Sequence, residues 1–304
     1  MPTVRTFPGW TMLALIAFVA SDASIASAAT KPLAEVPFKL HQNGIIVEAT
    51  INGEEKVHLL LDTGWGPLAL VSTTAERLNL HPEGAGDYPR VTVGSLAVGG
   101  AIQRNASFEV FPTAELEGLI GPNDGVLSTA FFKNLVLQVD YPARIVRFYA
   151  RAPIAALQPA EASTRATVPM VFSPRAGALP FTDAVLVDGK PVRALFDTGG
   201  SGGFMAMRQL IDRAHLEALP DSASNVRIGM LSDGKMAQAK MQFAKVGRIE
   251  LGPFAVDAPR VIMAPAQLEG DNWGHDLNIG YGFLRNYIVT FDYPGKLITF
   301  QRPQ

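Results

Sequence analysis

The fold is decided by the stretch Leu59-Leu60-Leu61-Asp62-Thr63-Gly64, whose pattern returns in Ala194-Leu195-Phe196-Asp197-Thr198-Gly199. Each copy is an apolar run that ends in Asp-Thr-Gly, and each follows a turn signal, Asn52-Gly53 or Asp188-Gly189. Asn-Gly and Asp-Gly between apolar runs are typical of β-hairpins. An aspartate at the end of an apolar strand is unusual, because buried charges need partners. One such aspartate is explained by an ordinary turn, but two equivalent copies favour a functional role.

Further landmarks recur in the same order, which indicates a duplicated module. They are a helical pattern at 72–80 and 205–216, a glycine-bounded strand pattern at 93–99 and 246–252, and an aromatic-rich strand block at 131–148 and 283–300. Between the copies, the segment 151–167 is rich in Ala, Pro, Ser and Thr, which is typical of a linker. We therefore predict two lobes, 34–150 and 168–304.

Composition supports an all-β chain with a large core. Of the 304 residues, 48% are hydrophobic and 18% are charged, while 28 glycines and 22 prolines indicate many turns. The chain has no cysteine, which excludes disulfides and thiolate chemistry. With 26 basic and 28 acidic residues, the net charge of −2 predicts no nucleic-acid partner.

The N-terminal segment 1–29 has the order of a secretory signal peptide. Arg5 precedes an apolar run at 12–20, and small residues follow up to Ala26-Ser27-Ala28. A membrane anchor is the alternative, but this run is far shorter than the roughly 20 residues that span a bilayer. We expect cleavage after Ala28 or Ala29, a periplasmic or secreted mature chain, and no membrane association after cleavage.

The two copies differ by an insertion in the second. From the Asp-Thr-Gly aspartate to the glycine-bounded strand, the first copy takes 31 residues (62 to 93) and the second takes 49 (197 to 246). The extra residues fall near 226–240, where an alternating pattern turns at Ser232-Asp233-Gly234. We expect a projecting hairpin there. Its Met230 and Met236 either line a substrate site as flexible apolar contacts or face inward.

A pseudo-two-fold axis between the copies would bring Asp62 and Asp197 face to face. Two adjacent carboxylates resist joint ionisation, so the pair holds one proton and titrates as a unit. The ionised member can activate a water molecule, while the protonated member donates to the scissile carbonyl oxygen. This chemistry predicts peptide hydrolysis with no metal, cofactor or covalent intermediate.

These turns resemble those of the aspartic peptidases of the retropepsin and pepsin-like clan, and the resemblance covers essentially the whole mature chain. It implies an all-β, bilobal acid-protease fold: two pseudo-two-fold-related β-barrel-like lobes with short helices, and a cleft that holds an extended peptide under a flap. The hairpin near 226–240 of the second lobe is the expected flap, with Ser232, Asp233 and Gly234 as candidate substrate-binding residues. The resemblance implies that Asp62 and Asp197 are catalytic. It also implies that Thr63 and Thr198 interlock the two lobes beneath the aspartates. The backbone amides of the turn glycines, Gly64 and Gly199, would support the carboxylates.

The sequence also departs from that family. Trp65 and Gly200 stand where Ala or Ser is usual, so an accessory hydroxyl bond to each carboxylate is absent, and both residues become candidates for substrate binding. Trp65 either forms a subsite wall or packs in the core. The family's apolar-apolar-Gly strand keeps its glycine in Asn278-Ile279-Gly280 and loses it in Val126-Leu127-Ser128. That loss predicts looser packing near Asp62.

The leading hypothesis is a monomeric aspartic endopeptidase that acts on polypeptides, and two rivals remain open. Gly199-Gly200-Ser201-Gly202-Gly203 fits the G-x-S-x-G elbow of serine hydrolases, with Ser201 as nucleophile, although the βαβα alternation of that fold is missing. Trp65 and Ser128 suggest a non-catalytic peptide-binding protein with the same fold. Metal catalysis is not predicted, because the five histidines show no ligand spacing: His41, His58, His81, His215 and His275.

Overall fold

The computed structural model describes residues 31–84, 86, 88–150, 164–220, 224–230, 236–265 and 274–303. Over these residues the chain is all-β with short helices, as the sequence predicts. The strands are β1 (Ala34–His41), β2 (Gly44–Ile51), β3 (Glu55–Asp62), β4 (Leu68–Val71), β5 (Arg90–Val98), β6 (Ala101–Phe111), β7 (Gly125–Ser128), β8 (Val136–Asp140), β9 (Ile145–Tyr149), β10 (Thr164–Pro169), β11 (Phe181–Val187), β12 (Lys190–Phe196), β13 (Phe204–Ala206), β14 (Ser224–Met230), β15 (Met236–Lys245), β16 (Arg248–Leu251), β17 (Phe254–Asp257), β18 (Arg260–Met263), β19 (Leu277–Ile279), β20 (Ile288–Asp292) and β21 (Leu297–Arg302). The helices are α1 (Ser72–Arg77), α2 (Thr113–Ile120), α3 (Thr129–Phe132), α4 (Arg208–Arg213) and α5 (Tyr281–Leu284).

The first lobe, β1 to β9, contains a closed barrel in the order β2-β3-β7-β4-β6-β5, which an additional β2–β5 pairing completes. Its β2–β3 hairpin turns at Asn52 and Gly53, whose φ angles of 54° and 84° lie in the left-handed region. Asn and Gly tolerate these angles, which a two-residue hairpin turn with right-handed strand twist requires. Asp188 and Gly189 make the equivalent turn between β11 and β12, with φ of 50° and 74°.

The second lobe, β10 to β21, repeats the first in an opened form, with its sheet in the order β14-β15-β18-β13-β19-β12-β11-β16-β17. In both lobes, the strand that leads to Asp-Thr-Gly is paired in parallel with a late strand, β3 with β7 and β12 with β19. Because neighbours cover this strand on both sides, its last residues are buried without alternation. Asp62 and Asp197 therefore stand at the ends of strands whose last residues are buried.

An interlobe sheet, in the order β10-β21-β20-β8-β9-β1, connects the two halves. Its central pair is β8 and β20, which run antiparallel with Gln138 opposite Thr290. The Gln138 amide donates to the Thr290 hydroxyl at 3.1 Å. Strand β10 begins at Thr164, four residues before the predicted start of the second lobe, and pairs with β21 as β1 pairs with β9. The predicted signal segment and residues 151–163 of the predicted linker lie outside the described residues.

The predicted insertion carries an antiparallel hairpin, β14 and β15, which overlaps 226–240. Its backbone approaches helix α2 of the first lobe, so the hairpin extends from one lobe toward the other. Residues 231–235, which include Ser232, Asp233 and Gly234, lie outside the described residues. Over the part of the chain that the structure describes, none of the helices has the length and apolar character to cross a membrane.

Candidate active site

Asp62 is the last residue of β3, and Asp197 directly follows β12. The carboxylate of Asp62 accepts the amide of Gly64 at 2.7 Å. The carboxylate of Asp197 accepts two amides on one oxygen, from Gly199 and Gly200, both at 2.9 Å. Asp62 is 8% exposed, whereas Asp197 is only partly buried. The two turns thus differ, since two amides bond to one oxygen of Asp197, and Asp197 is more exposed to solvent than Asp62.

The structure brings the two carboxylates together, and they hydrogen-bond to each other. The turn glycines explain this approach, because a Cβ atom on Gly64 would lie 2.7 Å from Cγ of Asp197. A Cβ atom on Gly199 would collide with the carboxylate of Asp62 in the same way. Each glycine therefore provides the space that the aspartate of the opposite lobe occupies.

Thr63 and Thr198 lie directly behind the aspartates and are fully buried. The amide of each donates to the hydroxyl of the other at 3.0 Å. Each hydroxyl in turn donates to a main-chain carbonyl of the opposite lobe, Thr63 to Phe196 at 2.7 Å and Thr198 to Leu61 at 2.8 Å. This arrangement matches the interlocking that the resemblance implies.

Burial controls the ionisation of the pair, hereafter the dyad. Burial raises the pKa of Asp62 well above its ordinary value, and the charge and hydrogen bond of Asp197 raise it further, against the amides of Gly64 and Gly199. Burial also raises the pKa of Asp197, but the hydrogen bond from Asp62 and the amides of Gly200 and Gly199 lower it. The two aspartates therefore titrate as one coupled pair, which holds a proton to higher pH than an isolated carboxyl would.

The prediction of looser packing near Asp62 is wrong. Ser128 is fully buried, and its hydroxyl donates to the carbonyl of Gly66 at 2.9 Å while accepting the amide of Ala130 at 3.3 Å. In the second lobe, a Cβ atom on Gly280 would collide with the carbonyl oxygen of Gly200. A serine fits the first position because its hydroxyl bonds to the turn, and only glycine fits the second.

Trp65 is half-buried in a small apolar cluster of the first lobe, where its ring meets Phe111 edge-on at 5.9 Å. Its indole N–H is buried and has no hydrogen-bond partner among the described residues. The core-packing alternative therefore accounts for most of this side chain. Gly200 touches the dyad through its amide, and a Cβ atom there would lie 3.1 Å from Asp197. Met230 and Met236 pair in register at the end of the hairpin.

The described residues place no histidine base beside Ser201, the nucleophile of the serine-hydrolase alternative. Ser201 is exposed, and its carbonyl accepts the side chain of Asn43 from the first lobe at 3.1 Å. Its hydroxyl makes no hydrogen bond to a histidine among the described residues. His275 is buried and its Nε2 lies 2.6 Å from Asn278. No group of three or more potential metal ligands is found over the described ranges.

The two lobes also share a second pair of equivalent aspartates, Asp124 and Asp276, which the sequence analysis did not predict. Asp124 precedes β7 and pairs with Arg77 of α1 at 2.9 Å, and Asp276 precedes β19 and pairs with Arg213 of α4 at 3.2 Å. Both also accept a main-chain amide from the strand that leads to the dyad, His58 at 2.7 Å and Arg193 at 2.9 Å. The pairs line surface cavities of about 610 and 460 Å³ on the flanks of the lobes. Extending the internal alignment to the residues before β7 and β19 would have found them.

Comparison with known proteins agrees with this arrangement. Residues 184–283, which contain Asp197, match a family model described as aspartyl protease. The fold is that of the aspartic peptidase clan. An aspartic proteinase from Irpex lacteus has a similar structure, with a TM-score of 0.51 and 10% identity over 89% of this chain and 97% of that one. At 10% identity, this structural similarity shows a shared fold and nothing more. No curated protein sequence matches the chain.

These matches confirm the resemblance to the clan and the all-β bilobal fold class. The family model covers residues 184–283, which are a part of the second lobe, so it includes Asp197 and leaves out Asp62. The place of Asp62 in the site rests instead on the duplication and on the contacts between the two turns.

Proposed function

We propose that this chain is an aspartic endopeptidase whose catalytic residues are Asp62 and Asp197. The observation that carries the proposal is the hydrogen-bonded carboxylate pair at the lobe boundary, held by the amides of Gly64, Gly199 and Gly200. A pair of buried carboxylates that share one proton provides a base and an acid at the same place. The aspartyl protease fold favours a polypeptide substrate.

We assign the roles from the hydrogen bonds of the Asp197 turn. Asp197, one of whose oxygens accepts two amides, is taken as the ionised base, and Asp62 as the protonated acid. Asp197 takes a proton from water as the water oxygen attacks the peptide carbonyl carbon, and Asp62 gives its proton to the carbonyl oxygen. The tetrahedral diol then collapses: Asp197 delivers its proton to the leaving nitrogen, the C–N bond breaks, and a diol hydroxyl returns a proton to Asp62. The dyad ends with one proton, as it began.

The remaining expectations belong to the same proposal. The β14–β15 hairpin, which approaches helix α2, is the candidate flap over an extended peptide. Its segment from Met230 to Met236, together with Trp65 and Gly200, is the candidate substrate contact. A monomer suffices, because one chain supplies both aspartates. Residues 1–29 favour export, which the mass of the mature N-terminus would test after expression in a secreting host.

The test uses purified mature protein and a mixture of denatured proteins, with Asp62→Asn, Asp197→Asn and Ser201→Ala as variants. We expect each Asn variant to lose cleavage by at least about 10³-fold, because removing an acid or base removes that much catalysis, with a nearly unchanged melt. Ser201→Ala should cleave as the wild type does. Full activity in both Asn variants would refute the dyad. Loss only in Ser201→Ala would favour a serine hydrolase, and binding of a statine-type peptide without any cleavage would favour the peptide-binding alternative.

A further inference from the structure

Two tyrosines occupy equivalent places at the ends of the central interlobe strands. Tyr141 follows β8 and Tyr293 follows β20, each within an Asp-Tyr-Pro sequence. Their side chains are 6% and 2% exposed. Neither hydroxyl has a hydrogen-bond partner among the described residues. Buried polar groups in proteins are nearly always hydrogen-bonded, so two equivalent exceptions require an explanation.

Each tyrosine lies against the lobe opposite its own. Tyr141 belongs to the first lobe, but its amide donates to the carbonyl of Tyr287, and its ring centroid lies 6.1 Å from that of Tyr281, both in the second lobe. Tyr281 opens α5 and donates its own amide to the carbonyl of Gly200 at 2.8 Å. Tyr141 thus packs on the helix that braces the Asp197 turn.

Tyr293 repeats this arrangement in reverse. It belongs to the second lobe, and its ring centroid lies 5.5 Å from that of Phe132 in α3 of the first lobe. Helix α3 opens with Thr129, whose hydroxyl donates to the carbonyl of Trp65 at 3.1 Å. Tyr293 thus packs on the helix that braces the Asp62 turn.

The electrostatic neighbours follow the same crossed pattern. Burial raises the pKa of Tyr141 well above its ordinary value, and the charges of Asp197 and Tyr281 raise it further. Burial and the charge of Asp62 do the same for Tyr293. In their own turns, the Asp140 carboxylate is bonded to the Ala143 amide and to Arg147, and the Asp292 carboxylate to the Gly295 amide, so these acids are engaged elsewhere. Both tyrosines remain neutral O–H groups, and the carboxylate charge that acts on each comes from the dyad aspartate of the facing lobe.

Packing by itself does not account for the hydroxyls. Phenylalanine would supply the same ring contacts without the cost of a buried hydroxyl that lacks a partner. A neutral O–H group near a buried carboxylate favours the ionised form of that carboxylate, directly or through a bridging water.

We propose that Tyr141 and Tyr293 are positioning residues whose hydroxyls face the aspartate turn of the opposite lobe. From their places at the ends of the central interlobe strands, they favour the singly ionised form of the dyad. The inference rests on the proposed function, since it assigns these residues a part in preparing that dyad. Tyr287 is a third buried tyrosine near the same sheet, and it serves as the comparison. Its ring is 3% exposed in the second lobe, and its hydroxyl accepts Arg302 at 3.3 Å.

The experiment titrates the dyad without requiring catalysis. Aspartate carboxyl ¹³C resonances are followed by NMR against pH in the wild type, Tyr141→Phe, Tyr293→Phe and the control Tyr287→Phe, with Asp62→Asn and Asp197→Asn used for assignment. We expect the dyad titration to move upward by about half a pH unit or more in the first two Phe variants, with melting temperatures at least as high as that of the wild type. Tyr287→Phe should lower the melting temperature and leave the titration in place.

An unchanged dyad titration in both Tyr141→Phe and Tyr293→Phe would overturn the inference, as would an equal movement in Tyr287→Phe. A lowered melting temperature with an unmoved titration would show a purely structural role. Because the measurement reads protonation, a protein that cleaves no peptide but shows the expected movement would refute the proposed function and leave the inference standing. Where peptides are cleaved, the acid limb of the kcat/KM profile should move upward with the titration.

Discussion

Thr63 and Thr198 exchange hydrogen bonds across the lobe boundary, the amide of each donating to the hydroxyl of the other at 3.0 Å. Their hydroxyls also donate to Phe196 and Leu61, the residues that precede the aspartates by one position. The main chain on each side of the dyad is therefore held by the opposite lobe. Since both threonines are fully buried, water cannot replace these bonds at low cost.

Replacing Thr63 or Thr198 with valine removes the hydroxyl while nearly keeping the shape. We expect each variant to lose about 2 to 3 kcal/mol of unfolding free energy, because a buried amide loses its acceptor and a carbonyl loses its donor. Urea unfolding measures this. Thr167→Val is the control: its hydroxyl lies 2.9 Å from that of Thr299 at a partly buried place in the interlobe sheet. Equal losses in all three variants would contradict the special role of the pair.

Alanine at Gly64 or Gly199 places a Cβ atom against the aspartate of the opposite lobe. We expect the peptide cleavage rate to fall by about 100-fold or more, because a displacement of about 1 Å at the reacting groups has that effect. Gly66→Ala is a matched control in the same turn, since a Cβ atom there meets nothing within 4 Å. If Gly64→Ala and Gly66→Ala cleave peptides equally well, the crossed glycine contacts have no catalytic importance.

The buried side chain of His275 should make the free energy of unfolding depend on pH. Burial lowers the pKa of His275 from 6.5 to about 4, against the Asn278 hydrogen bond and the Asp276 charge. The unfolded chain therefore binds the proton more readily, and unfolding free energy falls as pH drops from about 6.5 to about 4, by about 3 kcal/mol in all. Urea titrations across this range should show a shallower pH dependence in His275→Gln than in the wild type. The exposed His81, changed to Gln, should leave the slope unaltered.

Ser128 and Gly280 occupy equivalent positions behind the two aspartate turns. We expect that exchanging the two residue types destabilises the protein to a different degree at each position. Ser128→Gly should cost about 1 to 2 kcal/mol of unfolding free energy, because it removes the bonds to Gly66 and Ala130. Gly280→Ser should cost more, since its Cβ atom would meet the carbonyl oxygens of Gly200 and Gly202. Urea unfolding compares them, and a Gly280→Ser variant as stable as the wild type would refute the steric explanation.

The sequence by itself determined the all-β class, the duplication and the composition of the aspartate turns. Strand alternation, Asn-Gly and Asp-Gly turns and the spacing of repeated landmarks are local properties, so they can be read along the chain. The 18 extra residues of the second copy likewise predicted a hairpin near 226–240, where β14 and β15 lie. The repeated Asp-Tyr-Pro sequence also shows that Tyr141 and Tyr293 are equivalent, but the sequence predicts no function for either tyrosine.

Only the tertiary structure decided which atoms meet between the lobes. Thr63 and Thr198 are 135 positions apart, and their mutual bonds depend on how the two lobes pack on a shared sheet. The fit of Gly64 on Asp197 and the bond from Ser128 to Gly66 depend on the same packing at the scale of a single atom. The spacing of repeated motifs shows which residues of the two lobes are equivalent. Contacts across the pseudo-two-fold axis depend on three-dimensional packing, which local sequence patterns do not encode.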